Sequence, residues 1–164
     1  MDAADALAEP RTVYPLQGPL GLTAERAVDD LPVSRAGPLA LLIFSHGSGG
    51  TNTQSVLLME TLASHGFVVV SPEHTGNTND DFSDTLEEAG AKRVPDVSFM
   101  IDTFLDRNDS QGDDFYQRLD PNAIGVLGHS FGGGTALGAV GGFYGVAPDR
   151  RVSAVMPISA TVFD

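Results

Sequence analysis

Ser130 stands between two glycines in Gly128-His129-Ser130-Phe131-Gly132, the pattern G-x-S-x-G. A serine hydroxyl is a weak nucleophile until its surroundings activate it. A sharp turn from a strand into a helix does part of that work. It holds the hydroxyl above the sheet on a strained backbone, and the helix N-terminus behind it favours negative charge developing nearby. Side chains two residues to either side would collide on such a turn, which accounts for glycine at both places. The flanks have the required form: an apolar run over residues 123–128 leads in, and a small-residue stretch over residues 132–141 follows. Ser130 is therefore the expected nucleophile.

A second cluster, Ser45-His46-Gly47-Ser48-Gly49, follows the apolar run at residues 39–44. In the α/β-hydrolase arrangement, which this placement resembles, the turn after an early strand supplies one half of the oxyanion hole. The expected donors are the backbone N–H groups of Ser48 and of Phe131, the residue after the nucleophile. His46 is expected to brace this loop rather than to transfer protons. A nucleophilic serine also needs a base and an acid to orient that base. All four histidines, His46, His65, His74 and His129, precede Ser130, whereas the chain order in this fold is nucleophile, acid, histidine. His74, after a strand end, is the candidate base among them. Asp164, just past the last strand, is the candidate acid, and Asp149 is expected to be a solvated turn residue.

The elements that must position these groups follow from hydrophobic pattern. Apolar runs at residues 39–44, 67–70, 123–128 and 152–158 have the form of strands buried on both faces in a parallel sheet. Helices are expected over residues 51–64, 94–106 and 132–141, with Val94, Val97, Ile101, Phe104 and Leu105 as the stripe of the second. Phe99, Met100 and Phe104 are expected in the core, and Phe143 and Tyr144 either there or along an acyl pocket. Residues 73–90 are expected to form an acidic, solvated loop. Residues 1–38 form a separate segment, loop apart from an edge strand at residues 11–15, and residues 39–164 form the core. Alternating strands and helices make this an α/β chain with parallel βαβ units.

Composition narrows the partners. The 164 residues carry 22 acidic and 9 basic side chains, a net charge of −13, so phosphate backbones are repelled and nucleic acid is not an expected partner. There is no cysteine, which removes disulfides and thiolate metal sites. The acidic run at Asp80, Asp81, Asp84, Glu87 and Glu88 lacks the spacing of a calcium loop. No apolar stretch approaches the roughly 20 residues of a membrane span. The start, Met1 to Pro10, has neither a basic segment nor an apolar run, so no signal peptide is expected, and a processed secreted form would look the same.

Taken in order, Leu42 to Phe44 into Ser45-His46-Gly47, then Leu62-Ala63-Ser64-His65-Gly66-Phe67-Val68-Val69, Glu73-His74 and the Ser130 turn resemble the bacterial relatives of platelet-activating-factor acetylhydrolase. These are grouped with dienelactone-hydrolase-like and cutinase-like esterases. The resemblance covers roughly residues 38–159. It implies a serine carboxylic-ester hydrolase of the α/β-hydrolase fold, acting on a small-molecule, lipid or polyester ester without metal or organic cofactor. It also implies two further strands after residue 164, whose loops would carry acid and base. The chain is thus expected to be the N-terminal part of the fold, truncated at its C-terminus or completed by a second polypeptide. Two other classes fit some of the residues. A non-catalytic hydrolase-like binding domain would explain the missing histidine. A nucleotide-binding βαβ unit would explain Gly47-Ser48-Gly49 with Glu73, but not Ser130.

Overall fold

The computed structural model describes residues 11–15 and 21–161. Two layers of structure matter for the site. A four-stranded sheet, in the order β4-β3-β5-β6, is built from β3 (Leu39–Ser45), β4 (Phe67–Val70), β5 (Leu119–His129) and β6 (Val152–Ile158). Every pairing in it is parallel. Helices α1 (Val56–Ser64), α2 (Leu86–Asp109) and α3 (Phe131–Gly141) flank it. The α/β class with a mostly parallel sheet is as the sequence implies. Leu41, Ile43, Ile124 and Val126 of the central strands meet Val97 and Ile101 of α2 and Ala136 and Ala139 of α3 in the core. Parallel pairing puts all the strand C-termini at one edge. The β3–β5 register sets Ser45 beside Gly128, so the two chemical turns emerge as neighbours.

Several elements differ from expectation, each for a physical reason. Residues 21–28, read as loop, form β2 (Gly21–Val28), an antiparallel partner of β1 (Arg11–Pro15). Their apolar alternation is broken by Glu25-Arg26, and it is main-chain pairing that makes them a strand. Helix α2 begins at Leu86, eight residues before the expected start. Pro95 removes one intrahelical N–H, which suggests a helix boundary. The true start is a capping box: the Thr85 hydroxyl accepts from the Glu88 N–H at 3.3 Å, and the Glu88 carboxylate accepts from the Thr85 N–H at 2.9 Å. Thr85→Ala should cost about 1 kcal/mol of stability, read as a lowered urea midpoint with unchanged slope.

Helix α1 starts at Val56 rather than at residue 51, because residues 51–55 form turns ending in Ser55 at φ 60°. Phe99 projects from α2 and is 66% exposed, while Met100 and Phe104 pack against the core. Asp149 is not solvated. Its carboxylate accepts from Arg151 and from the Ser98 hydroxyl at 2.8 Å, pinning the turn before β6 to α2. The Arg151 guanidinium holds its pKa down to about 2. Strand β6 also departs from the doubly buried reading. It pairs with β5 alone among the described residues, and Ser153, Ala154, Met156 and Pro157 are exposed.

Candidate active site

Ser130 lies between the last residue of β5 and the first of α3, with φ 55° and ψ −118°. Positive φ is uncommon for a residue with a side chain and survives only where the surroundings enforce it. Three bonds enforce it here: Ser130 N–H donates to the Ile158 carbonyl at 2.9 Å, and its own carbonyl accepts from Thr161 N–H at 3.0 Å and from Gly134 N–H at 3.2 Å. The glycines on either side are required by close approach. A Cβ on Gly128 would lie 2.3 Å from the Gly132 carbonyl oxygen, and one on Gly132 would lie 1.9 Å from the Ser45 carbonyl oxygen. Real side chains do not tolerate such distances, so the first turn of α3 rests directly on the end of β3.

The 45–50 loop comes to Ser130 from the side. A Cβ on Gly47 would sit 3.4 Å from Ser130 Cβ and from the His129 carbonyl oxygen. Ser48 is exposed at the top of this loop, and Phe131 is buried at the start of α3. The loop is paired to the segment after β4: Gly49 N–H donates to the Asn77 carbonyl, Asn79 N–H donates to the Gly50 carbonyl, and Asn77 Nδ2 donates to Ser48 Oγ at 3.1 Å. The Gly-rich turn does not run straight into a helix, as a dinucleotide-binding unit requires. The residues before Val56 intervene.

Below the loop is a buried polar network that the sequence alone did not disclose. His74 has both ring nitrogens engaged, Nε2 with Ser45 Oγ at 2.9 Å and Nδ1 with Asp96 Oδ2 at 2.7 Å. Its backbone N–H donates to His46 Nε2 at 3.1 Å. A backbone N–H only donates, so His46 Nε2 carries no proton and His46 Nδ1–H donates to the Gly47 carbonyl at 2.7 Å. The network therefore fits neutral His46. Burial pulls its pKa down to about 4, and burial lowers that of His74 as well, against the opposing pull of Asp96.

Arg93, fully buried, completes the network. It donates to Ser45 Oγ, to the His46 and Gly47 carbonyls and to Asn77 Oδ1. Burial lowers its pKa to about 10, which leaves it cationic at neutral pH. The only sequence signal for this cluster was the placement of charged and polar residues on the core-facing side of α2.

Of the residues expected to act, Ser130 and Phe131 stand at the start of α3, and the loop that carries Ser48 passes beside Ser130 at Gly47, at the same sheet edge. His74 is not joined to them. Among the described residues no histidine ring is hydrogen-bonded to the Ser130 hydroxyl, whose partner is Thr161 Oγ1 at 3.3 Å. The candidate base is thus a buried brace between β3 and α2, and Thr161 is a contact the sequence gave no reason to name. Asp164 lies outside the described residues. Phe143 and Tyr144 stack edge-on at 4.7 Å and pack on the Phe131 ring at 5.8 and 6.2 Å, which places them under the Ser130 turn.

A family model described as platelet-activating factor acetylhydrolase, isoform II, matches residues 16–109, more than half of the chain. The chain belongs to that family. The matched segment holds the 45–50 loop, His74, Arg93 and Asp96, and stops before Ser130. Among solved structures, a ferulic acid esterase from Streptomyces cinnamoneus aligns with a TM-score of 0.55 at 28% identity, over 71% of this chain and 35% of that one. The present chain thus spans about a third of that esterase's length. The shared architecture is that of an α/β-hydrolase, of which these strands and helices form a part. No curated protein matches the chain. Among the described residues no helix is long and apolar enough to cross a membrane.

Proposed function

We propose that the protein is a carboxylic-ester hydrolase that works through an acyl-enzyme on Ser130. The observation that carries this reading is the enforced φ 55°, ψ −118° of Ser130 at the mouth of α3. A fold holds a side-chain-bearing residue in such a conformation only at a cost, and a nucleophile turn is what that geometry serves. The Ser130 oxygen attacks the ester carbonyl carbon while a general base takes its proton. The carbonyl oxygen becomes an anion held by the Ser48 and Phe131 N–H groups, with the positive end of α3 behind. Collapse expels the alcohol, which takes the proton back. Water then attacks the acyl-serine by the same route and releases the acid.

A second reading, a hydrolase-like binding domain without turnover, draws on one fact: the Ser130 hydroxyl is partnered by Thr161 and not by a histidine. Hydrolysis of a short p-nitrophenyl ester separates the two. In the natural full-length polypeptide, Ser130→Ala should reduce turnover at least about 1,000-fold, leaving only the residual rate that the oxyanion hole and binding supply. Equal rates in parent and variant favour the binding domain.

A further inference from the structure

The Gly47–Ser48 peptide unit is held from behind with unusual thoroughness. Its carbonyl oxygen accepts three hydrogen bonds: from His46 Nδ1 at 2.7 Å, Gly50 N–H at 3.0 Å and Arg93 Nη2 at 3.3 Å. The C=O and N–H of a trans peptide point in opposite directions within one plane. Donors that fix the Gly47 carbonyl therefore fix the direction of the Ser48 N–H. They also polarise the peptide and strengthen that N–H as a donor. Arg93 reaches the other half of the hole too. Its guanidinium carbon lies 4.7 Å above the Phe131 ring, a cation–π distance, while its Nη1 donates to the His46 carbonyl and to Ser45 Oγ. Asn77 Oδ1, at 2.7 Å from Nη2, sets the orientation of the guanidinium plane.

We propose that Arg93 is the positioning residue of the oxyanion hole, one buried cation that clamps the Gly47–Ser48 peptide and the Phe131 ring in fixed relation. This rests on the assignment of Ser130, Ser48 and Phe131 above. Arg93 touches no substrate. It acts on the direction and spacing of the two N–H groups, which matter when the carbonyl oxygen becomes an anion and little when the neutral ester first binds. Lysine keeps the charge but offers neither the planar fork for several acceptors nor the stacking face.

The consequence is a loss confined to the transition state. In the natural full-length polypeptide, Arg93→Lys should lower kcat for a p-nitrophenyl ester by about 10- to 100-fold with KM within about twofold. Affinity for an alkyl boronic acid, which forms a tetrahedral anion on a nucleophilic serine, should fall in parallel. Asn77→Ala leaves the cation in place but removes the oxygen that orients it together with the Nδ2 bond to Ser48 Oγ; read against Ser48→Ala, which removes that second bond alone, it should lower both by a further several-fold. It serves as the deciding variant if Arg93→Lys does not fold. Parental kcat and boronate affinity in the folded variant, or a loss carried by KM alone, would overturn the inference. A parent protein that the boronate does not inhibit, and in which fluorophosphonate leaves Ser130 unlabelled, instead overturns the site assignment, and the clamp falls with it.

Discussion

Gly132→Ala should destabilise the protein by more than about 3 kcal/mol, because the new methyl meets main chain rather than a movable side chain. Its Cβ would lie 1.9 Å from the Ser45 carbonyl oxygen and 2.7 Å from that of His46. Relief requires lifting the first turn of α3 off the end of β3, which also moves Ser130 away from the 45–50 loop. At this chain length the loss corresponds to a fall of roughly 10 °C in the melting temperature. Activity should fall further than stability alone requires, since whatever folds carries a displaced nucleophile. Gly141→Ala, in the same helix, is the control: a Cβ there meets nothing within 4 Å, so it should be neutral or slightly stabilising. Equal melting temperatures for the two variants would remove the close-approach account of the glycine pattern.

Mild acid should destabilise the fold through His46 and His74. Both are buried, and both hold a lowered pKa, His46 at about 4. The sign follows from proton uptake. Between pH 6.5 and 4 the unfolded chain binds a proton at His46 that the folded chain refuses, so unfolding is favoured as pH falls. Stability is fully present above pH 6.5 and declines by about 1.4 kcal/mol per unit, on the order of 3 kcal/mol in all for His46, with His74 adding in the same direction. Protonated His46 would also turn a donor toward the His74 backbone N–H and break that bond. Asp149, held near 2, loses its share only at lower pH. Urea midpoints at pH 7 and pH 5 should differ clearly. Equal midpoints would mean that the two rings are not buried neutral.

What the sequence disclosed about the site is local in character. Gly128-His129-Ser130-Phe131-Gly132 and Ser45-His46-Gly47-Ser48-Gly49 are contiguous strings whose conformations follow from their own glycines and from the strands before them, so each could be read in place. Strands β4 and β6 were legible end to end because Phe67–Val70 is an unbroken apolar run, Val152–Ile158 is apolar apart from Ser153, and both are closed by turn residues. The Arg93–His46–His74–Asp96 network was not legible. Its members come from three segments, and nothing in Arg93 as a letter separates a buried guanidinium from a solvated one. The start of α2 is not where the apolar stripe begins: the Thr85–Glu88 box is a local signal, but it lies in an acidic stretch that has the composition of a loop. Several of those acids do structural work. Asp84 takes both contacts of Lys92, and Asp81 accepts from the Gly76 N–H.

The central claim is that Ser130 is an activated nucleophile. Treating the natural full-length polypeptide with a fluorophosphonate probe and locating the adduct by peptide mass mapping tests it directly. One stoichiometric adduct is expected on the peptide carrying Ser130, absent in Ser130→Ala and blocked by a competing boronic acid. An adduct on any other residue, or labelling that persists in Ser130→Ala, would contradict it.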